Sequence, residues 1–353
     1  MSAPMINMAD DGVGLSPQEM GAALARLTAA GDVEADYYGD GGPVTELETR
    51  IAELLGKERA VMFPTGTLAN MLAMRLMAPG TGARVVVHRD SHLFNDAGDN
   101  ITQAGVTMVP LLSEGASFTA DQVRDEIART ASARVRSRLG GICIETPNRR
   151  LANRMFDAEA RGEVEALARA EGIPLFLDAA RIFIESAWSG RSPAEIGAPY
   201  DFVYVSLYKY LTAPFGAVLA GPAEALDGLF HDRRRFGGGL YQMWPAALLA
   251  LDALPRQDAE WLAARAAGEA VAAALGGLGI EAGRLPDDSN ALRVAAGRAA
   301  TTARAAREQT RASGLKLTPA VSGKVTLKIN ASWTRAAPDD IAARLARLLK
   351  DGA

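Results

Sequence analysis

Between residues 59 and 221, short apolar runs alternate with amphipathic stretches, and this alternation constrains the fold more than any other feature of the chain. The runs Ala60–Phe63, Arg84–His88, Val106–Leu112, Leu139–Ile144, Ile173–Leu177, Phe202–Ser206 and Ala217–Gly221 have strand length. Helical periodicity marks Val44–Leu55, Leu68–Met77, Thr119–Thr130 and Asp157–Glu171. Thr45, with Glu48 three residues on, has the spacing of a capping box, so the first of these helices is expected to open there. Strand–helix alternation of this kind predicts an α/β fold: a mostly parallel sheet buried on both faces by helices. After about Leu248 the texture changes. Alanine-rich helices are expected over Ala246–Leu254 and Glu260–Leu275, strands at Ala291–Ala295 and Lys324–Ile329, and helices at Ala300–Ser313 and Pro338–Lys350. That part reads as a smaller α+β unit.

A chain of 353 residues suits one large domain with a smaller appendage. Hydrophobic residues make up 48% and charged residues 23%, the balance of a soluble globular protein. The net charge is −4 with both signs interspersed, so there is no basic stripe for a nucleic acid. The one cysteine, Cys143, excludes an internal disulfide and a cysteine-based zinc site, and no metal is expected. Its place in the run Gly141–Ile144 reads as a buried structural thiol. Met1–Gly14 carries Asp10 and Asp11 and no apolar core, unlike a signal peptide. The closest approach to a membrane span, Phe202–Ala223, is broken by Lys209 and Pro214. A cytoplasmic location is the resulting expectation. No glycine-rich nucleotide motif follows a strand, so nucleotide binding has no support.

Lys209 is the one charged side chain between Asp201 and Glu224. Burying an unpaired ammonium costs several kcal/mol, roughly, so the group must neutralise, pair or be consumed chemically. Imine formation with a cofactor aldehyde consumes it; a salt-bridged or snorkelling lysine at a strand end is the plainer alternative. Asp178 closes the run Ile173–Leu177, where an open α/β sheet gathers its ligands. A carboxylate there suits a protonated pyridine nitrogen, and equally a helix cap. Thr65, Gly66 and Thr67 stand between a strand and a helix, as an anion site or an ordinary turn. The stretch Arg233–Gly239 is a second candidate anion cradle, or a flexible basic loop. His92 follows the strand ending at His88, as a stacking group and base or as a surface histidine.

The order of these elements resembles the threonine aldolase group of fold-type-I pyridoxal-phosphate enzymes, also classed with the β-eliminating lyases. The residues that carry the resemblance are Thr65-Gly66-Thr67, His92, Asp178-Ala179-Ala180-Arg181, Lys209 and Gly237-Gly238-Gly239. Asp36-Tyr37-Tyr38-Gly39-Asp40 and Leu54-Leu55-Gly56-Lys57-Glu58 are similar to the group's N-terminal signature. The likeness runs from about Asn7 to Ile341. It implies a pyridoxal-phosphate domain over residues 31–250, a small domain over 251–353, and a segment, 1–30, packed on the small domain or on a neighbouring subunit. It also implies roles. Gly66 and Thr67 hold the phosphate, with Thr65 in the place of a family serine. His92 stacks on the ring, Asp178 pairs with the pyridine nitrogen, and Arg181 sits near the phenolic oxygen or the substrate carboxylate. Lys209 carries the cofactor as a Schiff base. Arg234, in the place of a family lysine, reaches the phosphate from a neighbouring subunit of a homodimer or homotetramer with shared sites.

The departures from the family pattern gather on the substrate side. Asp10 aligns with a serine that touches the substrate carboxylate, Tyr241 with an arginine, and Lys328 with the arginine that clamps the carboxylate. Asn148 aligns with a histidine near the substrate hydroxyl. Lysine gives up bidentate carboxylate recognition, and an aspartate would repel a carboxylate unless protonated or paired. Three functions follow as expectations. The first is retro-aldol cleavage of a β-hydroxy-α-amino acid to glycine and an aldehyde. The second is β- or γ-elimination or replacement on a specialised amino acid, with Lys209 as the base at Cα. The third is a binding protein that has kept the fold and lost catalysis.

Overall fold

The computed structural model describes residues 4–80 and 83–350. Its strands are β1 (Ile6–Asn7), β2 (Arg59–Phe63), β3 (Ala83–His88), β4 (Thr107–Leu111), β5 (Arg138–Glu145), β6 (Leu175–Asp178), β7 (Phe202–Ser206), β8 (Ala217–Gly221), β9 (Ala291–Ala295), β10 (Leu315–Lys316) and β11 (Lys324–Lys328). Seven of them form the large sheet, in the order β2-β8-β7-β6-β5-β3-β4. Strands β4, β3, β5, β6 and β7 are parallel, while β8 runs antiparallel to both its neighbours, β7 and β2. All the strands except β8 therefore end on one edge of the sheet.

The burial of these strands explains their composition. Every residue of β6, β7 and β8 is buried, as a sheet covered on both faces demands. The edge strand β4 is half-exposed and tolerates Pro110, whose missing N–H would break an interior ladder. Gly140 in β5 has no room for a side chain: a Cβ there would lie 2.8 Å from the Ala78 Cβ, just past the helix Gly66–Met77. The β7–β8 connection, residues 207–216, joins antiparallel neighbours without a crossover. Leu207 N–H pairs with Gly216 O at 3.1 Å at its base, so Lys209 sits in a loop at the strand ends.

The first long helix differs from its sequence expectation. It opens at Gly42, with Gly41 at the cap and no side-chain capping bond, instead of at Thr45. The backbone at Gly41 and Gly42 takes positive φ, which carries the chain into the helix one turn early. Glu48 is then free to accept Met62 N–H at 2.7 Å, and it fastens the helix to β2. Capping boxes with both bonds form at Ser16 and Glu19, Thr119 and Gln122, and Ser192 and Glu195; the first opens the helix Pro17–Ala29 that the sequence pattern did not mark. The helix expected from Ala300 opens at Ala303, because Thr302 stays extended and caps it.

The chain divides into two compact units. The larger holds residues 14–186 and 190–255; the smaller holds 1–13, 187–189 and 256–353. The helix Pro17–Ala29 thus belongs with the large unit, where Arg26 binds both oxygens of Asp252 at 3.1 Å. In the smaller unit β1 pairs in parallel with β10 and β9 pairs antiparallel with β11, around a buried Trp333. Among the described residues, no helix is long and apolar enough to cross a membrane.

Candidate active site

The edge where the parallel strands end gathers most of the candidate residues. From β2 the chain turns through Thr65 into the helix Gly66–Met77; from β3 it reaches His92. Glu145 ends β5 and Asp178 ends β6, and the two are paired in register. Lys209 follows β7, the next strand along. This is where an open α/β sheet places its ligands.

Thr65 is the helix cap: its hydroxyl accepts Leu68 N–H at 3.2 Å. Gly66 and Thr67 are the first helical residues, whose N–H groups have no acceptor within a helix. Gly66 is obligatory for space, since a Cβ there would stand 2.0 Å from the Tyr204 hydroxyl. Helix start and β7 are therefore packed against each other without a gap. Asp178 is buried and accepts Ala180 N–H at 3.2 Å. It does not cap the next helix, which opens at Ile182 after Arg181. Lys209 is half-buried, its Nζ 5.3 Å from the centre of the Tyr208 ring. The neighbouring Tyr210 hydroxyl donates to Ala180 O at 3.0 Å, so the Lys209 loop is tied to the Asp178 loop.

His92 opens the short helix His92–Asn95, and its Nδ1 lies 3.5 Å from Asp96 Oδ2. Asn148 is fully buried; its Oδ1 accepts the N–H groups of Arg150 and Leu151, while its Nδ2 has no hydrogen-bond partner among the described residues. Arg181 is buried, with Nη1 3.9 Å from Glu145 Oε1. Glu145 itself is absent from the sequence reading. Burial first, then the Asp178 carboxylate beside it, pushes its carboxyl up to about 7. The signal was available: an acid closing an apolar strand, as Asp178 does.

Other candidates lie elsewhere. Arg234 stacks on the Tyr38 ring, 4.2 Å from its centre. Tyr241 is 60% exposed and meets the Tyr37 and Tyr38 rings edge-on. Arg233 cannot serve an anion cradle, because it is buried and donates to the backbone oxygens of Met62 and Tyr38. Asp10 and Lys328 are in the smaller unit. There Asp10 binds Lys316, and it is Asp11 that meets Lys328, at 2.7 Å. Lys328 is thus already paired with a carboxylate.

The large-sheet edge fits pyridoxal phosphate on the chemistry of its donors. It offers a helix start that admits no side chain at Gly66, a buried carboxylate at Asp178 and an amine at Lys209. Comparison with known proteins agrees. The model of the Beta-eliminating lyase family matches residues 8–324. The low specificity L-threonine aldolase of Escherichia coli K12 is 28% identical over 235 residues, 66% of this chain and 68% of that protein. Low-specificity L-threonine aldolase 1 of Arabidopsis thaliana is 26% identical over 238 residues, 66% of this chain and 65% of that protein. An uncharacterised Caenorhabditis elegans protein, R102.4, is 29% identical over 72% of this chain but only 60% of its own length. In fold, the chain is similar to the threonine aldolase of Leishmania major, with a TM-score of 0.76, 17% identity, and coverage of 98% of this chain and 99% of that one. The family match runs through every strand of the large sheet and every residue gathered at its edge, and this chain belongs to the β-eliminating lyase family.

Proposed function

We propose that the protein is a pyridoxal-phosphate-dependent lyase that cleaves a β-hydroxy-α-amino acid to glycine and an aldehyde. The observation that carries this reading is that Asp178 and Lys209 leave adjacent parallel strands at one edge. The threonine aldolase relatives give the reaction class. When bound, pyridoxal phosphate supplies a sink for the electron pair left on Cα as the Cα–Cβ bond breaks. Lys209 is the amine that would hold the cofactor. Asp178 keeps a proton on the pyridine nitrogen. The N–H groups of Gly66 and Thr67 hold the phosphate at the helix start. His92 covers the ring and takes the β-hydroxyl proton, directly or through a water. Asn148 can donate from Nδ2 but cannot act as a base.

That last point favours a second reading. With asparagine where the family has a histidine, one base for a β-hydroxyl is gone, and Lys209 can instead remove the Cα proton for β- or γ-elimination or replacement. We also place the enzyme in the cytoplasm as a homodimer or homotetramer, with Arg234 serving a neighbouring copy.

The test uses the purified protein. The wild type should show a visible absorbance band that borohydride bleaches. Lys209→Ala should lose that response and roughly 10³-fold or more of its turnover. Glycine and an aldehyde from a panel of amino acids support cleavage, whereas ammonia and a keto acid without glycine support elimination. A wild type with no band sinks the assignment.

A further inference from the structure

Glu145 has no role in the reaction as described, yet it meets several residues of the site. Its side chain is 1% exposed. Oε2 accepts His92 N–H at 2.6 Å, and Oε1 accepts Arg149 N–H at 3.0 Å. Arg181 approaches Oε1, and Asp178 is the register partner on β6. A carboxylate can satisfy two N–H groups on two oxygens because it only accepts. A glutamine has one acceptor oxygen, and its amide nitrogen would oppose the second N–H.

A second carboxylate grips the same pieces from outside. Asp96 receives Arg149 Nη1 at 2.9 Å and Arg150 Nη1 at 3.0 Å, and His92 Nδ1 stands 3.5 Å away. Burial opposes its ionisation, but Arg149, Arg150 and His92 together hold its carboxyl below the usual range. His92 is therefore held at its backbone by Glu145 and at its ring by Asp96. Both carboxylates are fastened to the turn that follows Asn148.

We propose that Glu145 is a positioning residue, which sets where His92 and the Asn148–Leu151 turn stand relative to Asp178 without touching substrate. The proposal rests on the reading of His92 as the residue that covers the cofactor ring and takes a proton. The groups facing Glu145 are Asp178 and Arg181 from β6 and its loop, His92 from the short helix, Arg149 from the turn, and Cys143 on its own strand. Its carboxyl titrates near neutrality, and protonation converts an acceptor oxygen into a hydroxyl. The hold on His92 is firm above that point and loosens below it.

Three histidines make the test direct. Proton NMR of the holoenzyme follows each imidazole against pH, with His231 as the internal control. In the wild type the His92 resonance should show a second inflection at about 7, the value to which Glu145 is raised. In Glu145→Gln that inflection should vanish while the His231 resonance stays unchanged. The variant should keep the borohydride-sensitive band, because Lys209 is intact, and lose about 10- to 100-fold in kcat with a smaller change in KM. Glu145→Asp, which only accepts but reaches less far, should recover part of the loss. A wild type without the second His92 inflection overturns the proposal, even if Glu145→Gln fails to fold. So does a Gln variant with wild-type kcat and titration. A wild type that lacks the band overturns the functional reading instead, and the His92 titration still reports on the Glu145 contact.

Discussion

Gly66 shows how little space the site leaves. A Cβ at this position would meet the Tyr204 hydroxyl at 2.0 Å and Tyr204 Cζ at 2.9 Å. Gly66→Ala should therefore push the helix start away from β7 and weaken binding of pyridoxal phosphate to the apoenzyme by about tenfold or more. Adding Tyr204→Phe should restore only part of the affinity, because the ring carbon is still too close; fluorescence titration of the apoenzyme measures both. The pair Lys328 and Asp11 is the second residue-scale case. Both side chains are largely buried, so Lys328→Met removes one of the groups that bind the Asp11 carboxylate and should cost about 1–3 kcal/mol in denaturant unfolding. Lys328→Met combined with Asp11→Leu should regain most of that. Sequence reading placed Lys209, Asp178 and His92 at strand ends, and the structure puts them on one edge. It singled out Asp10, although Asp10 and Asp11 are adjacent and chemically identical, and in the structure it is Asp11 that meets Lys328. The choice is made by the turn in which Asn7 Oδ1 accepts the N–H groups of Ala9 and Asp10. Glu145 escaped notice because a lone acid after an apolar run also reads as a solvent-facing strand end. Its burial comes from β6 and from the loops after β3 and β5, which no local pattern records.

Elements were legible where their own residues determine them. The strands Phe202–Ser206, Ala217–Gly221 and Ala291–Ala295 match their expected limits, because each is a buried run bounded by turn residues. Helix starts were less legible, since a capping box and a tertiary contact use the same residues. Glu48 is the example. Burial, the largest influence, together with nearby Asp40, outweighs Met62 N–H, Arg233 and Arg59 and raises its carboxyl from 4.5 to about 7. The folded state thus binds a proton more tightly than the unfolded chain does. Glu48 contributes stability that is fully present below about 4.5 and is lost as pH rises to about 7. Glu48→Gln keeps an acceptor for Met62 N–H and has no charge to bury. It should flatten the fall in stability over this range and, at pH 8, be more stable than wild type by about 1–3 kcal/mol. Urea unfolding at a series of pH values reads both effects.

At the scale of the whole molecule, the sheet order explains why one edge can carry so much chemistry. Every strand of the large sheet but β8 ends there, and β8 returns directly from β7, which keeps the Lys209 loop at that edge. The alternation of strands and helices made the parallel sheet legible in the sequence. The reversal of β8 was not, because an antiparallel strand buried on both faces has the same composition as its parallel neighbours. The smaller unit has a different logic. Its strand β1 pairs with β10, Asn330 Nδ2 donates to the carbonyls of Asn7 and Asp10, and Ser332 exchanges hydrogen bonds with the backbone of Asn7. These contacts join residues more than 300 positions apart. On a ribosome, residues 6–11 would emerge more than 300 residues ahead of Asn330 and Ser332 and would wait for them. The large sheet has all its strands by Gly221 and can form in the meantime. Completion of the smaller unit thus comes after the large sheet has its strands, and a nascent chain that stalls before Ser332 leaves Asn7 still waiting for that hydroxyl.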